Sequence, residues 1–306
     1  MLSHGRWLLF LVGAYLGAAV PAHAGNDDEI LVGNQASMTA GAVSAVVADS
    51  SASWYNPAGL GVLEPDQIDV SGSCYTLRSY SAPGFITSTT GEKNAASVVE
   101  FVSLPTQIAY VRRLADNLAL GLGYFVPQAS NLILRESLQL EQQDLASGWQ
   151  VMLAQVRVQH TGVVALGFAL GPRVRMGVSL VGTYQEDTQS VSIVAMQGPL
   201  SEKAAGVQNV ALFSTLLGTV TQVGMEVGVG FQIELTPRWR LGLTGRTPRL
   251  QFYQSLAVSG SSAAASTLGE PAINGFISQP DETRIDLDVI RAGRLLGALA
   301  WRGANG

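Results

Sequence analysis

The stretch at residues 224–235, GMEVGVGFQIEL, alternates strictly between two kinds of side chain. One set of alternate positions carries large apolar residues, and the other carries glycine, glutamine and glutamate. Successive side chains of a β-strand point to opposite faces of a sheet. This period of two therefore predicts a strand with one apolar face and one small or polar face.

The same alternation recurs along most of the chain. It is clear at residues 117–126, 163–170 and 173–184, where large apolar residues again oppose small or polar ones. Weaker versions complete a set of about ten predicted strands, at residues 67–76, 106–113, 151–159, 239–247, 284–291 and 295–301.

The segments between these strands are of two kinds. Residues with turn chemistry join several neighbours at hairpin length: Leu114-Ala115-Asp116, Gly171-Pro172, Thr236-Pro237 and Ala292-Gly293. Long polar or small-residue stretches, predicted to be loops, occupy residues 79–96, 185–208 and 259–282. Short turns at one end and long loops at the other are typical of an outer-membrane barrel.

The extreme N-terminus indicates export. His4 and Arg6 precede an apolar run at residues 7–20, and Ala22-His23-Ala24 has the small residues of a cleavage site. The run is shorter than the roughly 20 residues that a membrane-anchoring helix needs. We therefore predict a secretory signal peptide at residues 1–24, removed before Gly25.

Composition supports a chain whose strands face lipid. Charged residues make up 13% of the sequence and 34 of its 306 residues are glycine, so charge is about half and glycine well above the share of typical soluble proteins. No second apolar run is long enough for a helix to span a membrane, so a membrane-embedded chain must cross as strands. We predict an all-β fold, a transmembrane antiparallel β-barrel in the bacterial outer membrane. A soluble β-sandwich is the alternative, favoured by an aromatic content of only 7%.

Charge and cysteine content exclude several functions. The net charge of −5 gives no basic surface for nucleic acid. Cys74 is the only cysteine, which excludes an internal disulfide framework and a multi-cysteine metal site. We expect no metal and no cofactor.

Residues 33–75 carry a family resemblance. They contain an approach rich in small residues, the pair Ala48-Asp49, and Asn56-Pro57-Ala58-Gly59-Leu60 just before the first strand. This stretch resembles the N-terminus of the FadL-type family of outer-membrane transporters for long-chain fatty acids and other hydrophobic compounds. Residues 235–252, LTPRWRLGLTGRTPRLQF, are similar to a later hairpin of that family.

The resemblance implies a fourteen-stranded barrel whose N-terminal segment folds inside the lumen as a hatch. It also implies that substrates bind in apolar pockets and leave sideways through the wall near the hatch. On this basis residues 25–66 are the predicted hatch and residues 67–306 the barrel. About ten strands are visible in this sequence, whereas the family has fourteen. This difference predicts either a truncated chain or strands hidden at residues 131–143 and 189–197.

The residues of the predicted hatch suit this place in the fold. Small side chains dominate residues 33–53, as a backbone threaded through a narrow lumen requires. Pro57 fixes its own φ and favours an extended Asn56, while Gly59 can adopt a positive φ. We expect the hatch or gating residues to be Asp49, Asn56, Pro57, Ala58 and Gly59. An ordinary surface turn before a strand is the alternative.

The predicted function is passive transport of hydrophobic small molecules resembling long-chain fatty acids, through residues that the sequence leaves unassigned. The predicted surroundings are outer-membrane lipid and lipopolysaccharide, and the predicted state is a monomer. A second hypothesis is a structural or adhesive barrel that transports nothing. An outer-membrane lipid hydrolase would need a histidine as general base, and beyond the signal peptide only His160 is present, without a G-x-S-x-G motif. We therefore predict that the protein is not an enzyme.

Overall fold

The computed structural model describes residues 30–39, 42–63, 66–87, 93–142, 145–199, 210–266, 276–286 and 293–301. The predicted signal peptide lies outside them. Two short helices, α1 (Asn34–Met38) and α2 (Ala52–Tyr55), precede a 3₁₀ helix at Pro57–Val62. Ten strands follow: β1 (Gln67–Thr87), β2 (Lys93–Ala115), β3 (Leu118–Gln142), β4 (Leu145–Ala169), β5 (Val174–Pro199), β6 (Val210–Thr236), β7 (Trp239–Arg246), β8 (Leu250–Ser266), β9 (Phe276–Asp286) and β10 (Arg294–Trp301).

The strands form one antiparallel sheet in which β1 to β7 follow chain order. β7 and β8 lie end to end along β6, and β10 and β9 pair with β7 and β8 respectively. Thr247-Pro248-Arg249 separates β7 from β8, where proline lacks the N–H that a sheet ladder needs. The predicted all-β antiparallel wall is confirmed. Among the described residues, no helix has the length and apolar character needed to cross a membrane.

Three of the four predicted short turns fall where the sequence predicts them, and the fourth, Ala292-Gly293, lies partly outside the described residues. β2 and β3, β4 and β5, and β6 and β7 are each joined by two to four residues at the same end of the sheet. The predicted long loops are wrong over much of their length, because β1, β2, β5, β8 and β9 extend into them. Apolar residues in these extensions do not alternate regularly with polar ones, and at residues 189–197 they occur on both faces of β5. A strand without such alternation is not recognised from its sequence.

Two further strand predictions need correction. The stretches at residues 151–159 and 163–170 belong to one strand, β4, and the stretches at residues 131–143 and 189–197 are extensions of β3 and β5 rather than additional strands. β8 has no counterpart in the sequence prediction because its Gly, Ser and Ala residues show no apolar alternation. The described residues also contain ten strands, although these are not the ten that the sequence predicts.

The outer face of the sheet is apolar over a limited height. On β5 the outward positions run from Val174 through Val178 and Leu180 to Tyr184, and then become polar with Glu186. Ten residue-to-residue steps separate Val174 from Tyr184. At about 3.3 Å per step, along a strand tilted by about 40°, they rise by about 25 Å. This is the height of the apolar band of an outer-membrane barrel, as the lipid-facing wall predicted from the sequence requires.

Aromatic side chains lie at both borders of this band. Tyr124 Oη is 2.5 Å from His160 Nδ1, and His160 is the cross-strand partner of Tyr184. At the end with the short turns, Trp239 is paired with Trp301. Tyrosine and tryptophan are enriched at membrane–water interfaces because they have an apolar body and a polar tip. A few well-placed aromatic residues therefore suffice, despite the low aromatic content.

The core lies between the sheet and the residues that precede it. Val32, Val43, Val47, Trp54 and Leu60 from the chain before β1 are fully or almost fully buried. They pack in one cluster with inward side chains of the sheet, namely Ala109, Val111, Ala119, Phe125, Val163, Ala165 and Val181. A β-sandwich would instead bury two sheets against each other, so that alternative does not describe this chain.

Candidate functional site

Residues 30–63, here called the N-terminal segment, contact six consecutive strands from β2 to β7. At the two ends of this contact, Gln107 of β2 donates to Ser50 Oγ, and Gly242 of β7 lies against Ser44 and Ala45. Six strands about 4.8 Å apart span about 24 Å. The sheet therefore curves around the segment, which occupies its concave face.

Five glycines on five consecutive strands receive the segment. This glycine seat has direct cross-strand pairs at its centre, where Gly177 faces both Gly167 and Gly230. A Cβ at Gly167 would lie 2.5 Å from Leu60 Cβ, and one at Gly230 would lie 2.9 Å from Pro57 Cδ. A side chain larger than hydrogen has no room there. The members of the seat are Gly121, Gly167, Gly177, Gly230 and Gly242.

Other glycines of the same strands have open surroundings. A Cβ at Gly162 of β4 would meet nothing within 4 Å, and one at Gly182 of β5 would meet only a carbonyl oxygen at 4.0 Å. The close approach of the N-terminal segment therefore requires glycine at the seat, whereas nothing requires it at these outward positions.

Asn56 uses all of its side-chain polar atoms, and one of its three hydrogen bonds joins the segment to the wall. Its Nδ2 donates to the carbonyl oxygens of Ser44, at 2.7 Å, and Phe231, at 3.1 Å. Its Oδ1 accepts from Ala58 N at 3.1 Å, which caps the 3₁₀ helix. The side chain is fully buried, so each of these bonds replaces one to water.

Pro57, Ala58 and Gly59 form a tight corner on the seat. Asn56 is extended, with φ −155° and ψ 101°, as expected for a residue before proline. Pro57 and Ala58 lie against Gly177, where an added Cβ would overlap the Pro57 carbonyl and lie 2.6 Å from Ala58 N. The positive φ considered for Gly59 is not adopted. Gly59 is instead required because a Cβ there would overlap the carbonyl oxygen of Val47.

Asp49 organises the segment itself. Its carboxylate accepts from Ser51 N at 3.0 Å, from the Ser51 hydroxyl and from Gln35 N at 3.4 Å. In return, Gln35 Oε1 accepts from Ala48 N at 2.9 Å. These bonds connect α1 to the residues just before α2, so the role of Asp49 in this structure is to hold the two helices together.

An arginine from the wall contacts the segment at Trp54. Arg246 Nη1 donates to Glu226 Oε1 at 3.0 Å, and its Nη2 donates to the Trp54 carbonyl. The guanidinium also lies 4.0 Å from the centre of the Trp54 ring, within the range of a cation–π interaction. Sequence reasoning missed this contact, although a glutamate on the glycine-rich face of residues 224–235 was a visible signal.

Wall amides also bind the backbone of the segment. Gln232 Nε2 donates to the carbonyl oxygens of Val47, at 3.1 Å, and Ser44, at 3.3 Å. Buried carbonyl groups without such donors would be destabilising. The wall therefore fixes the segment with polar contacts as well as by packing.

Pairing between β2 and β3 ends beside the top of the segment. β2 pairs with β1 from Lys93 to Val111, but the described pairs between β2 and β3 stop at Gln107 and Phe125. Beyond this point, the described pairs of β3 are with β4 alone. The place where the described β2–β3 pairs stop is called the wall gap below. Pro127 lies beside it, and its carbonyl accepts from Ile30 N at 2.9 Å.

The wall gap begins at the outer border of the apolar band, because Phe125 is next to Tyr124, one of the aromatic residues at that border. Ile30 packs there with Val126, Ala129 and Val158, an apolar corner next to the gap.

The histidine considered for a lipid hydrolase lies elsewhere. His160 is on the outer face of β4, where its ring is stacked on Tyr124 and lies 6.1 Å from the ring of Tyr184. It therefore belongs to the aromatic border rather than to the concave face that holds the N-terminal segment.

Comparison with known proteins gives matches among solved structures. No family model matches the chain, and no curated protein matches it. A FadL homologue of Pseudomonas aeruginosa is 10% identical, with 85% of this chain and 93% of that chain covered and a TM-score of 0.22.

The CymD monoaromatic hydrocarbon channel is 10% identical over 90% of this chain and 98% of that chain, with a TM-score of 0.25. The toluene transporter TodX of P. putida is 11% identical over 86% and 96%, with a TM-score of 0.24. Over most of its length the chain is similar to these FadL-type proteins, the family that its N-terminal sequence resembles.

Proposed function

We propose that the protein carries small hydrophobic molecules passively across the outer membrane, with the N-terminal segment as a hatch. The observation that carries this proposal is the position of the wall gap directly beside the top of the segment. The segment fills the concave face from Phe125 toward the short turns, so it blocks a straight path. The gap offers a sideways path at the lipid border.

The contacts of the hatch suggest which part moves. Asn56, Pro57 and Ala58 are held by packing on the glycine seat and by several buried hydrogen bonds. Ile30 is held at the gap by one backbone hydrogen bond and a small apolar cluster. We infer that the corner at Asn56–Gly59 is the fixed anchor, with Asp49 keeping the hatch folded. The edge around Ile30 is then the part that opens.

The apolar band supports contact of the wall with outer-membrane lipid. Contact of the polar strand extensions with lipopolysaccharide, and a monomeric state, are part of the same proposal. Fatty-acid-like compounds are the first substrates to test, because long apolar molecules benefit most from a protein path through the slow lipopolysaccharide layer.

Uptake into liposomes tests the proposal. The full-length protein and a variant lacking residues 25–59 are inserted in vesicles, and entry of a labelled long-chain fatty acid is followed. We expect the full-length protein to admit the label, and the deletion to change the rate because the straight path is unblocked. An unchanged rate after deletion contradicts the hatch. No uptake by correctly inserted full-length protein favours the structural or adhesive barrel.

A further inference from the structure

Five glutamines form a continuous row on the concave face just above the N-terminal segment. Each is the direct cross-strand partner of the next, across five neighbouring strands. The row is called the amide row here and consists of Gln128 (β3), Gln159 (β4), Gln185 (β5), Gln222 (β6) and Gln254 (β8).

Irregularities in two strands bring glutamines into this row. On β3 the register shifts between Phe125 and Gln128, so the inward positions change from odd to even residue numbers. On β8 the register shifts at Phe252, after which Gln254 faces Gln222. A β-bulge re-aims the side chains that follow it. Without these two shifts, Gln128 and Gln254 would point to the outer face.

The centre of the row has hydrogen-bonding capacity to spare. In the part of the chain that the structure describes, Gln185 Oε1 is buried without a hydrogen-bond partner, as is the neighbouring Thr183 Oγ1. Both atoms lie on the inward side of β5. A buried carbonyl or hydroxyl without a partner is costly. This end of the lumen is therefore suited to a polar group that comes from outside the chain.

Charges beside the row are already neutralised. Arg157 and Asp187 are cross-strand partners, and the Asp187 carboxylate accepts from Arg157 Nη2 at 2.6 Å and from Nε at 2.8 Å. Gln155 Nε2 also donates to it, at 3.2 Å. A pair satisfied in this way leaves little attraction for an ionised head group. The central amide of Gln185, which is neutral and can both donate and accept, remains as a binding group.

Apolar surface lies near the amides. Val220 and Leu256 are cross-strand partners one inward position beyond the row. The apolar corner of Ile30, Val126 and Ala129 lies on the outer side of the wall gap, because Ala129 and Val158 are cross-strand partners one position away from Gln128 and Gln159. A molecule with one polar group and an apolar body can place the two parts on these two kinds of surface.

We propose that the amide row binds the neutral hydrogen-bonding group of an otherwise apolar compound: an alcohol, a ketone or an ester. This inference rests on the proposed transport function and narrows its substrate class from any hydrophobic molecule to those with an uncharged polar group. The hydroxyl or carbonyl bonds to Gln185 and Gln222, and the hydrocarbon part lies toward the wall gap.

Two probes of equal size separate the contribution of the polar group to binding from that of the hydrocarbon chain. 1-Decanol and n-undecane have the same number of non-hydrogen atoms and differ by one hydroxyl. Equilibrium binding of the radiolabelled probes is measured on full-length protein in lipid nanodiscs, with empty nanodiscs subtracted. We expect wild-type protein to prefer decanol by about tenfold beyond its partition into lipid, since one net hydrogen bond is worth about that factor.

The preference is then tested by substitution. Gln185→Leu/Gln222→Leu removes the two central amides and should abolish the preference, while undecane binding stays within about twofold. Gln150→Leu makes the same exchange at an exposed position on the outer face of β4 and should leave the preference intact. Gln185→Asn, which retains an amide, should preserve part of it. Heat-dependent gel mobility verifies that each variant is folded.

The outcomes for the amide row and for transport are separable. Equal binding of the two probes by wild-type protein overturns the amide row, and so does a preference that survives the double substitution. Neither result affects transport measured in liposomes. Conversely, a decanol preference in protein that admits no label into liposomes retains the amide row as a binding site and contradicts the transport function.

Discussion

The two halves of the concave wall use the same strand alternation in different ways. From the short turns up to Phe125, the inward positions include the glycine seat and small apolar residues, together with polar side chains such as Gln232 and Arg246 that bind the N-terminal segment. The segment fills the space that the glycines leave. Above Phe125 the inward positions carry glutamines and an arginine–aspartate pair. The size and polarity of the inward side chains therefore decide whether a section of the wall holds a protein segment or lines a lumen.

The largest expected effect comes from filling the glycine seat. Gly177→Val places a branched side chain against the Pro57 carbonyl, where neither backbone can yield cheaply. Because overpacking at a backbone contact is among the costliest core changes, we expect a loss of about 3 kcal/mol in the free energy of unfolding. The urea midpoint of protein refolded into lipid vesicles measures this.

Gly182→Val is the matched control on the same strand. Its outward position is open, so we expect a change of less than about 0.5 kcal/mol. Equal effects of the two substitutions would contradict the account of the seat. Trypsin digestion adds a second readout, because the N-terminal segment of the Gly177→Val variant should be cleaved faster.

A smaller loss is expected from the anchor amide. Asn56→Ala removes the donor to the Ser44 and Phe231 carbonyls, although Ser44 keeps the 3.3 Å bond from Gln232 Nε2. We expect about 2 kcal/mol of destabilisation, since a buried acceptor that loses its donor costs about 1–3 kcal/mol. The same urea titration measures it.

Asn56→Asp sharpens the interpretation of this prediction. An ionised carboxylate can still accept from Ala58 N but cannot donate to the two carbonyls. It should therefore destabilise at least as much as Asn56→Ala. A milder effect of Asp would show that the cap of the 3₁₀ helix, rather than attachment to the wall, is the main contribution of Asn56.

The smallest effect is expected where the wall contacts Trp54. Arg246→Met keeps most of the side-chain volume and removes the cation–π contact and the bond to Glu226. Arg249 and Arg294 remain 3.9 and 3.8 Å from Glu226, so the carboxylate of Glu226 keeps two positively charged neighbours. We expect a loss of about 1 kcal/mol. The urea midpoint and a change in tryptophan emission measure it, and no shift in either would contradict the contact.

The sequence predicts strands well only where one face meets lipid. Residues 224–235 and 173–184 alternate clearly because their outward side chains are apolar and their inward ones are small or polar. The extensions of β1, β2, β5 and β8 escape detection, because beyond the apolar band neither face of a strand is uniformly apolar. β7 and β8 are one row of the wall interrupted by Pro248, which single-sequence reasoning cannot distinguish from a turn.

The candidate site is predictable in outline but not in its pairings. The family resemblance identifies Asn56, Pro57, Ala58 and Gly59, and the structure brings Asn56 to Ala58 together on the glycine seat. Asp49 lies in the same segment but organises its internal fold. The glycines and glutamines of the wall are visible in the sequence as types. Their alignment across five strands depends on register and bulges, which only the three-dimensional structure provides.

Reversible crosslinks at two places test the central claim, a fixed anchor with a moving edge. In a Cys74→Ser background, Ile30→Cys/Ala129→Cys is bridged by a short bis-methanethiosulfonate reagent at the wall gap. Ser50→Cys/Gln107→Cys is bridged by the same reagent where the N-terminal segment is bonded to β2. We predict that the bridge at the gap stops liposome uptake until it is reduced, and that the bridge between residues 50 and 107 leaves uptake unchanged. Unchanged uptake with the gap fully bridged would contradict the account.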